Sequence, residues 1–412
     1  MTVRAAPAVN GRGLRGLLIG RAVGDLGDML VPLALVAVTI QIGDISLLGY
    51  LLAARAIPNS VFALFGGSWA DRFDPRMLML ATDATRALSQ GVFASILLSH
   101  SLPLGPILLL QAVYGAATGV FNPAANVIVP SIVPESEIQR VNAGLSTRRS
   151  LARVLGPVAA GLLLTHVQVG WLLGLDALSF VVSGLAIMTV PQGLRAASIK
   201  DRGSWRSEMV SGLSVARAQP WILVCVIYFA LFQFFALAPL FVIGPFLIHL
   251  SGVPASSAWA YFLTLGGAGF VVGGLVARRL KPPRPLVLCF AISVLDGAQL
   301  ISLGLKAPYV CTMALGFSAG VVGAIWQVLF TTALQRNVDR SLLGRVWALD
   351  EVGSVIAVPV AFALFGLLAN HYSHAGLVLF AGCAISIISI GCALLPTVRL
   401  PLKGMEDGNV SQ

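Results

Sequence analysis

The stretch "RAVGDLGDML", residues 21–30, sets Arg21, Asp25 and Asp28 at intervals of four and three inside a long apolar run. Those intervals place all three charges on one face of a helix. A carboxylate in apolar surroundings is costly to hold and is a functional candidate by default. Desolvation favours its protonated form, whereas a nearby guanidinium favours its ionised form. A group poised between the two can load and release a proton.

Asp28 lies deepest in the run, and Asp25 about eight residues, or ~12 Å, inside it. Arg21 is one turn in and can snorkel to an interface. Two other arginines, Arg55 and Arg153, stand within apolar runs and complete the set of proton-coupling candidates. The favoured pairings are Arg55 with Asp28, and Arg21 with Asp25 along the helix. The alternative is a permanent ion pair that fixes helix register. Asp83 and Arg86, at i and i+3, are expected to pair structurally, and Asp176 and Asp296 to be structural as well. Asp350 and Glu351 are open between the two roles.

These charges stand out because the chain is otherwise apolar. It is 57% hydrophobic and 11% charged over 412 residues, with a mean hydropathy of +0.88. A soluble domain carries about 25% charged residues. Apolar runs of roughly 20 residues, the length that crosses a ~30 Å hydrocarbon layer, recur twelve times. They fall near 17–41, 46–70, 77–98, 104–127, 145–165, 169–191, 220–248, 256–278, 285–305, 308–331, 343–369 and 374–396. Backbone groups must be satisfied within lipid, so all twelve are expected to be helices. The expected fold class is an all-α membrane protein.

The formal charge of +10 follows membrane topology rather than nucleic acid. Outside the spans, every Lys and Arg except Lys306 falls on the side that holds both termini, while all five histidines lie in or beside the opposite loops. That is the positive-inside pattern, and it puts both termini in the cytoplasm, in an inner membrane. The basic excess adds attraction to anionic membrane lipids. The N-terminal residues do not read as a cleaved signal peptide. The five cysteines show no metal or disulfide spacing and are expected to pack as apolar residues. No metal site, cofactor, nucleotide-binding motif or nucleophile–base pair is expected, so an enzyme is not.

The halves repeat. "PESEIQRVNAGL" (134–145) aligns with "DRSLLGRVWALD" (339–350), pairing Ser136 with Ser341 and Arg140 with Arg345. At an offset of 207, Pro32 matches Pro239 and Gly67 matches Gly274. The domains expected are a six-helix bundle over 1–191, a cytoplasmic linker over 192–219, and a second six-helix bundle with a short tail over 220–412. Phe232 and Phe235 stand where span 1 has its acids, so the repeat itself does not require those charges.

"GGSWADRFDPR" (66–76) resembles the major facilitator signature G-x-x-x-D-R-x-G-R-R. Gly67, Asp71, Arg72 and Arg76 match; Asp74 and Pro75 depart. The chain is most similar to the drug-efflux and enterobactin-exporter-like branch, through "GDLGDMLVPLAL", "TDATRAL", "GVFNPAANVIVPSIVP", "RVNA" and "LDALSF". The resemblance implies twelve helices in two bundles and alternating access. It also implies a gate in which Asp71 faces the start of span 11, where Ser341 would cap the helix and Arg345 add charge. "AGLSTRRSLARVLGPVAAG" (143–161) is similar to the antiporter signature of span 5, with Gly156, Pro157 and Gly161 in place and alanines at three glycine positions.

On this resemblance, spans 1, 4, 7 and 10 line the substrate path. They offer Asn122, Asn126, Tyr228, Phe229, Phe232, Gln233, Phe235, Trp326 and Gln327, a largely aromatic set suited to lipophilic or amphipathic molecules. The resemblance therefore implies a proton-coupled exporter whose partners are a small-molecule substrate, protons and lipids, acting as a monomer. A lipid or lysophospholipid flippase of the same fold, a facilitator or importer, and a non-transporting receptor remain alternatives. Small-xxx-small pairs at Gly20/Gly24, Gly115/Gly119, Gly269/Gly273 and Gly316/Gly320 fit either static or moving helix interfaces.

Overall fold

The computed structural model describes residues 11–99, 103–133, 135–191, 214, 216–248, 254–338 and 340–399. Among them there is no strand. The chain forms two compact units, Met1–Lys200 and Asp201–Gln412.

The first unit contains α1 (Gly11–Asp28), α2 (Val31–Ile42), α3 (Ile45–Arg72), α4 (Pro75–Leu98), α5 (Leu104–Ile132), α6 (Glu135–Leu164) and α7 (Val169–Ile187). α1 and α2 together make one apolar crossing, broken immediately after Asp28. The break has a cause in the sequence. Pro32 has no N–H to offer the carbonyl four residues back, which is that of Asp28. α2 ends on Gly43 at φ +78°, a left-handed C-cap that glycine adopts without a Cβ clash.

The start of α3 is capped by Asp44, whose carboxylate accepts from the backbone N–H of Ser46 at 2.9 Å and of Leu47 at 3.4 Å. Asp74 caps α4 in the same way, accepting from the N–H of Arg76 at 2.9 Å, and Pro75 takes the first helical position. The two departures from the signature loop are therefore the residues that begin α4.

The second unit contains α8 (Pro220–Phe232), a π-helical segment (Gln233–Leu237), α9 (Ala238–Val242), α10 (Gly244–Leu247), α11 (Ala255–Ala277), α12 (Pro285–Ile292), α13 (Val294–Gly304), α14 (Tyr309–Asn337), α15 (Arg340–Ala369) and α16 (His374–Leu394). The π segment precedes Pro239, the counterpart of Pro32. The missing N–H of Pro239 would have bonded the carbonyl of Phe235, and Ala238 N–H instead reaches back to Gln233. α12 and α13 form one crossing bent at Ser293, whose hydroxyl donates to the Cys289 carbonyl at 2.9 Å.

The packing repeats between units. α3 lies along α5 and α4 along α7; correspondingly, α11 lies along α14 and α13 along α16. Glycine makes the first of these contacts close. A Cβ at Gly115 or Gly119 would collide with the carbonyls of Arg55 or Asn59 on α3, and one at Gly269 or Gly320 with those of Phe317 or Gly266. Gly316 sits against the Phe262 ring, and Gly20 lies beside Ser183 of α7. These small-residue pairs are contacts inside a unit.

Among the described residues, nine helices or joined helices are long and apolar enough to cross a membrane. The remaining crossings are α4, which carries Asp83 and Arg86, and α6 and α15, whose apolar parts are Val154–Leu164 and Ala357–Ala369. α6 and α15 begin ahead of the expected runs, with polar first turns that extend the helix. Large apolar side chains stand outward, Leu88 at 70% and Ile387 at 69% exposure, as a lipid-facing surface requires.

Candidate functional site

Polar side chains converge in the first unit around Asp28, the last residue of α1. One oxygen, Oδ1, accepts from Arg55 Nη2 of α3 at 3.2 Å and from the hydroxyl of Tyr114 on α5. The other, Oδ2, lies 3.9 Å from Arg86 Nη1 of α4. Arg86 also donates to Asp83, one turn earlier on its own helix. Its guanidinium is held between two rings, 4.0 Å from the centroid of Phe121 and 4.2 Å from that of Phe180. Arg55 lies 4.4 Å over the Tyr114 ring.

Behind this group, Gln90 Nε2 donates to Asp176 at 2.8 Å, and Gln111 Nε2 donates to Gln90 Oε1 at 3.4 Å. Asp176 Oδ1 and Asp83 Oδ2 are buried with no hydrogen-bond partner among the described residues. Gly27 lets α1 approach this point, since a Cβ there would meet Ser179 and Asp176. A cavity of about 30 Å³, the space of one water molecule, lies beside Asp28. Arg21, Asp25, Arg86, Asn122 and Ser183 help to line it.

The structure thus joins Asp28 to Arg55 directly and brings Asp25 and Arg21 to the same cavity. Arg21 is buried, at 7% exposure, instead of reaching an edge; Gly20 and Gly24 hold its helix against α7 and enclose it. The side chains of Arg153, Gly67, Asp71, Ser341, Arg345, Asp350 and Glu351 lie outside the described residues. Arg72 is exposed. Arg76 is buried and donates to the α7 C-terminus, through Nη2 to the Met188 carbonyl at 2.9 Å and Nε to that of Ile187 at 3.4 Å. Gly156, Pro157 and Gly161 are buried in α6, and Gly156 lies against Met29, the residue after Asp28.

In the second unit a cavity of about 320 Å³ opens among α8, α12–α13 and α14. Of the residues expected on a substrate path, Tyr228, Phe229, Phe232, Gln233, Trp326 and Gln327 line it. Trp326 stacks on Tyr228 at 5.5 Å with planes 11° apart, and its indole N–H donates to Ser293 Oγ at 2.7 Å. The Tyr228 hydroxyl is 3.1 Å from Ser389 Oγ.

Phe235 does not line this cavity; it packs against Phe234 at 5.0 Å and Phe380 at 6.2 Å. In a straight helix, positions 228, 232 and 235 share a face. The π segment adds a residue to the turn and carries Phe235 off that face. Asn122 and Asn126 are exposed; Asn122 reaches the small cavity beside Asp28, and neither lines the cavity of the second unit.

Sequence reasoning missed Tyr114, Gln90 and Gln111 as partners of the acids, and Asp296 as a cavity residue. Gln90 and Gln111 are polar residues in apolar spans, so their presence was a signal. Tyr114 gave none. Asp296, expected to be structural, lines the cavity just after the helix break at Ser293.

Residues 17–352 match the sequence profile of the Major Facilitator Superfamily. The macrolide efflux protein A of Streptococcus pyogenes is 23% identical over 397 residues, covering 93% of this chain and 96% of the relative. A Bacillus subtilis protein named as a bacilysin exporter is 24% identical over 362 residues, covering 85% and 87%. The nucleoside transporter NupG superposes with a TM-score of 0.71 at 11% identity, over 92% of this chain and 98% of NupG. The inward-open xylose transporter XylE from E. coli gives 0.66 at 13% identity, over 96% of each chain. At such identities the two solved structures speak for the fold alone.

Proposed function

The chain belongs to the Major Facilitator Superfamily, and on that premise we propose that it is a proton-coupled exporter of lipophilic or amphipathic small molecules. Uphill export by a multi-pass membrane transporter of this family, whose relatives are named for efflux and export, needs an energy source and a substrate. The reading adds the proton and the chemical class. It sets the protein in the inner membrane with cytoplasmic termini, on the distribution of Lys and Arg, and takes it to act as a monomer.

The observation that carries it is the binding of Asp28 by three helices at once. The ionised carboxylate links α1 to Arg55 on α3, Arg86 on α4 and Tyr114 on α5. Protonation removes the charge that holds both guanidiniums, so a proton loosens α1 from its neighbours, and its loss restores the link. The described side chains in and around the cluster also hold one carboxylate more than they hold guanidiniums. Asp25, Asp28, Asp83 and Asp176 stand against Arg21, Arg55 and Arg86. Among these described side chains, the extra acid gives a proton somewhere to reside without stripping every arginine of its partner.

The test is counterflow in proteoliposomes under an imposed pH gradient, with wild type, Asp25→Asn and Asp28→Asn. The expected result is uphill flux in wild type, lost in Asp28→Asn while downhill exchange persists. Gradient-driven uphill flux in both variants overturns the coupling assignment.

A further inference from the structure

Asp296 is a buried carboxylate, at 7% exposure, in the first turn of α13, and it faces the cavity of the second unit. It has no hydrogen-bond or ion-pair partner among the described residues, in contrast to Asp28, Asp83 and Asp176. Among the described residues the cavity lining contains no Lys, Arg or His. What surrounds the acid is aromatic. Trp326 stacks on Tyr228, Phe229 meets Trp326 edge-on at 4.9 Å, and Phe330 meets Phe229 at 5.1 Å. A buried carboxylate either takes up a proton or is met by a counter-charge, and among the described residues no basic side chain meets this one. Aromatic faces attract cations, most strongly where water is excluded.

We propose that this cavity is a binding site for organic cations, with Asp296 as the counter-charge to a substrate ammonium and Tyr228, Phe229, Trp326 and Phe330 as its aromatic wall. The proposal rests on the reading of the chain as an exporter of amphipathic molecules and narrows that class to those carrying a positive charge. A volume of about 320 Å³ suits a compact aromatic amine. The site contributes specificity and is distinct from the Asp28 cluster, where Asp28 and Asp83 already have arginine partners.

The experiment is calorimetric binding to the full chain in lipid nanodiscs, with no pH gradient. The probes are benzyltrimethylammonium and, as a neutral molecule of similar size, N-benzylacetamide. Wild type is expected to bind the cation more tightly. Asp296→Asn should weaken cation binding about tenfold or more, because the lost attraction acts across a poorly solvated gap, and should change binding of the neutral probe no more than about twofold. Asp296→Glu, which keeps the charge, should retain most of the cation affinity, so a general collapse of the site is separated from loss of charge. Equal cation binding by wild type and Asp296→Asn, parallel loss of both probes, or no cation binding by wild type overturns the proposal. Intact cation binding together with flux indifferent to a proton gradient would remove the coupling reading and leave this site standing.

Discussion

The hydroxyl of Tyr114 donates to Oδ1 of Asp28, the same oxygen that Arg55 approaches at 3.2 Å. One carboxylate oxygen therefore joins α1, α3 and α5, while its twin reaches toward Arg86 on α4. Residues 86 apart in the chain share this contact because the helix break after Asp28 leaves the acid at the end of α1, within reach of three neighbours.

Removing either member of the Asp28–Arg55 pair leaves the other charge poorly solvated. Each of Asp28→Asn and Arg55→Gln is expected to lower the thermal unfolding temperature. The double variant should unfold less readily than the sum of the two predicts, with an interaction energy of about 1–3 kcal/mol. Thermal melts of the four proteins in one detergent give the cycle. Strict additivity would show that the contact carries no energy.

Asp83 is a different kind of acid. It is 1% exposed, Arg86 is 3% exposed, and the two lie one turn apart on α4. Breaking a pair this deeply buried typically costs about 3–5 kcal/mol. Asp83→Asn should therefore reduce stability and membrane yield more than Asp28→Asn does. The fraction that folds is expected to keep the wild-type dependence of flux on the pH gradient. A melt unchanged from wild type contradicts this assignment.

Twelve apolar runs, two prolines at equivalent places and three charges on one face were all visible in the residues, because lipid imposes length and helix geometry on any crossing segment. Arg55 was recognisable as a partner for Asp28 because it stands near the middle of the span expected to neighbour span 1. The neighbours that define the site were less legible. Tyr114 reads as one more apolar residue of its span, although its hydroxyl reaches Asp28 beside the close approach of α5 to α3 at Gly115. Phe235 left its expected face because a π segment is a change of register, and periodicity assumes a constant one. Asp296 lines its cavity just after a helix break at Ser293 that no Gly or Pro announced.

That approach at Gly115 can be tested directly. A side chain there would strike the Arg55 carbonyl, and Gly320 faces the Gly266 carbonyl in the same way in the second unit. Backbone cannot yield as a flexible side chain can, so Gly115→Val and Gly320→Val should each push a helix pair apart. The cost is expected at about 1–3 kcal/mol or more, as for other overpacked interiors. Gly174 and Gly391, where a Cβ meets nothing, are the controls, and Gly→Ala at either should leave the melt close to wild type. Equal melts for Gly115→Val and the controls would refute the close-packing account.

Trp326 separates affinity from turnover in the second unit. Its indole N–H donates to Ser293 Oγ at 2.7 Å, and the Ser293 hydroxyl passes its own hydrogen to the Cys289 carbonyl at 2.9 Å. In Trp326→Phe, Ser293 keeps the carbonyl partner and loses the indole, so the stability cost should be near that of one ordinary hydrogen bond, about 1 kcal/mol. The larger effect falls on the cavity wall, which exchanges an indole face for a weaker benzene face. For an aromatic cation carried in proteoliposomes, KM should rise about three- to tenfold, in keeping with a cation–π contribution of about 0.5–2 kcal/mol. Maximal gradient-driven flux should stay near wild type, because the Asp28 cluster is untouched. If maximal flux collapses with KM unchanged, the cavity serves the transport cycle itself rather than recognition of its cargo.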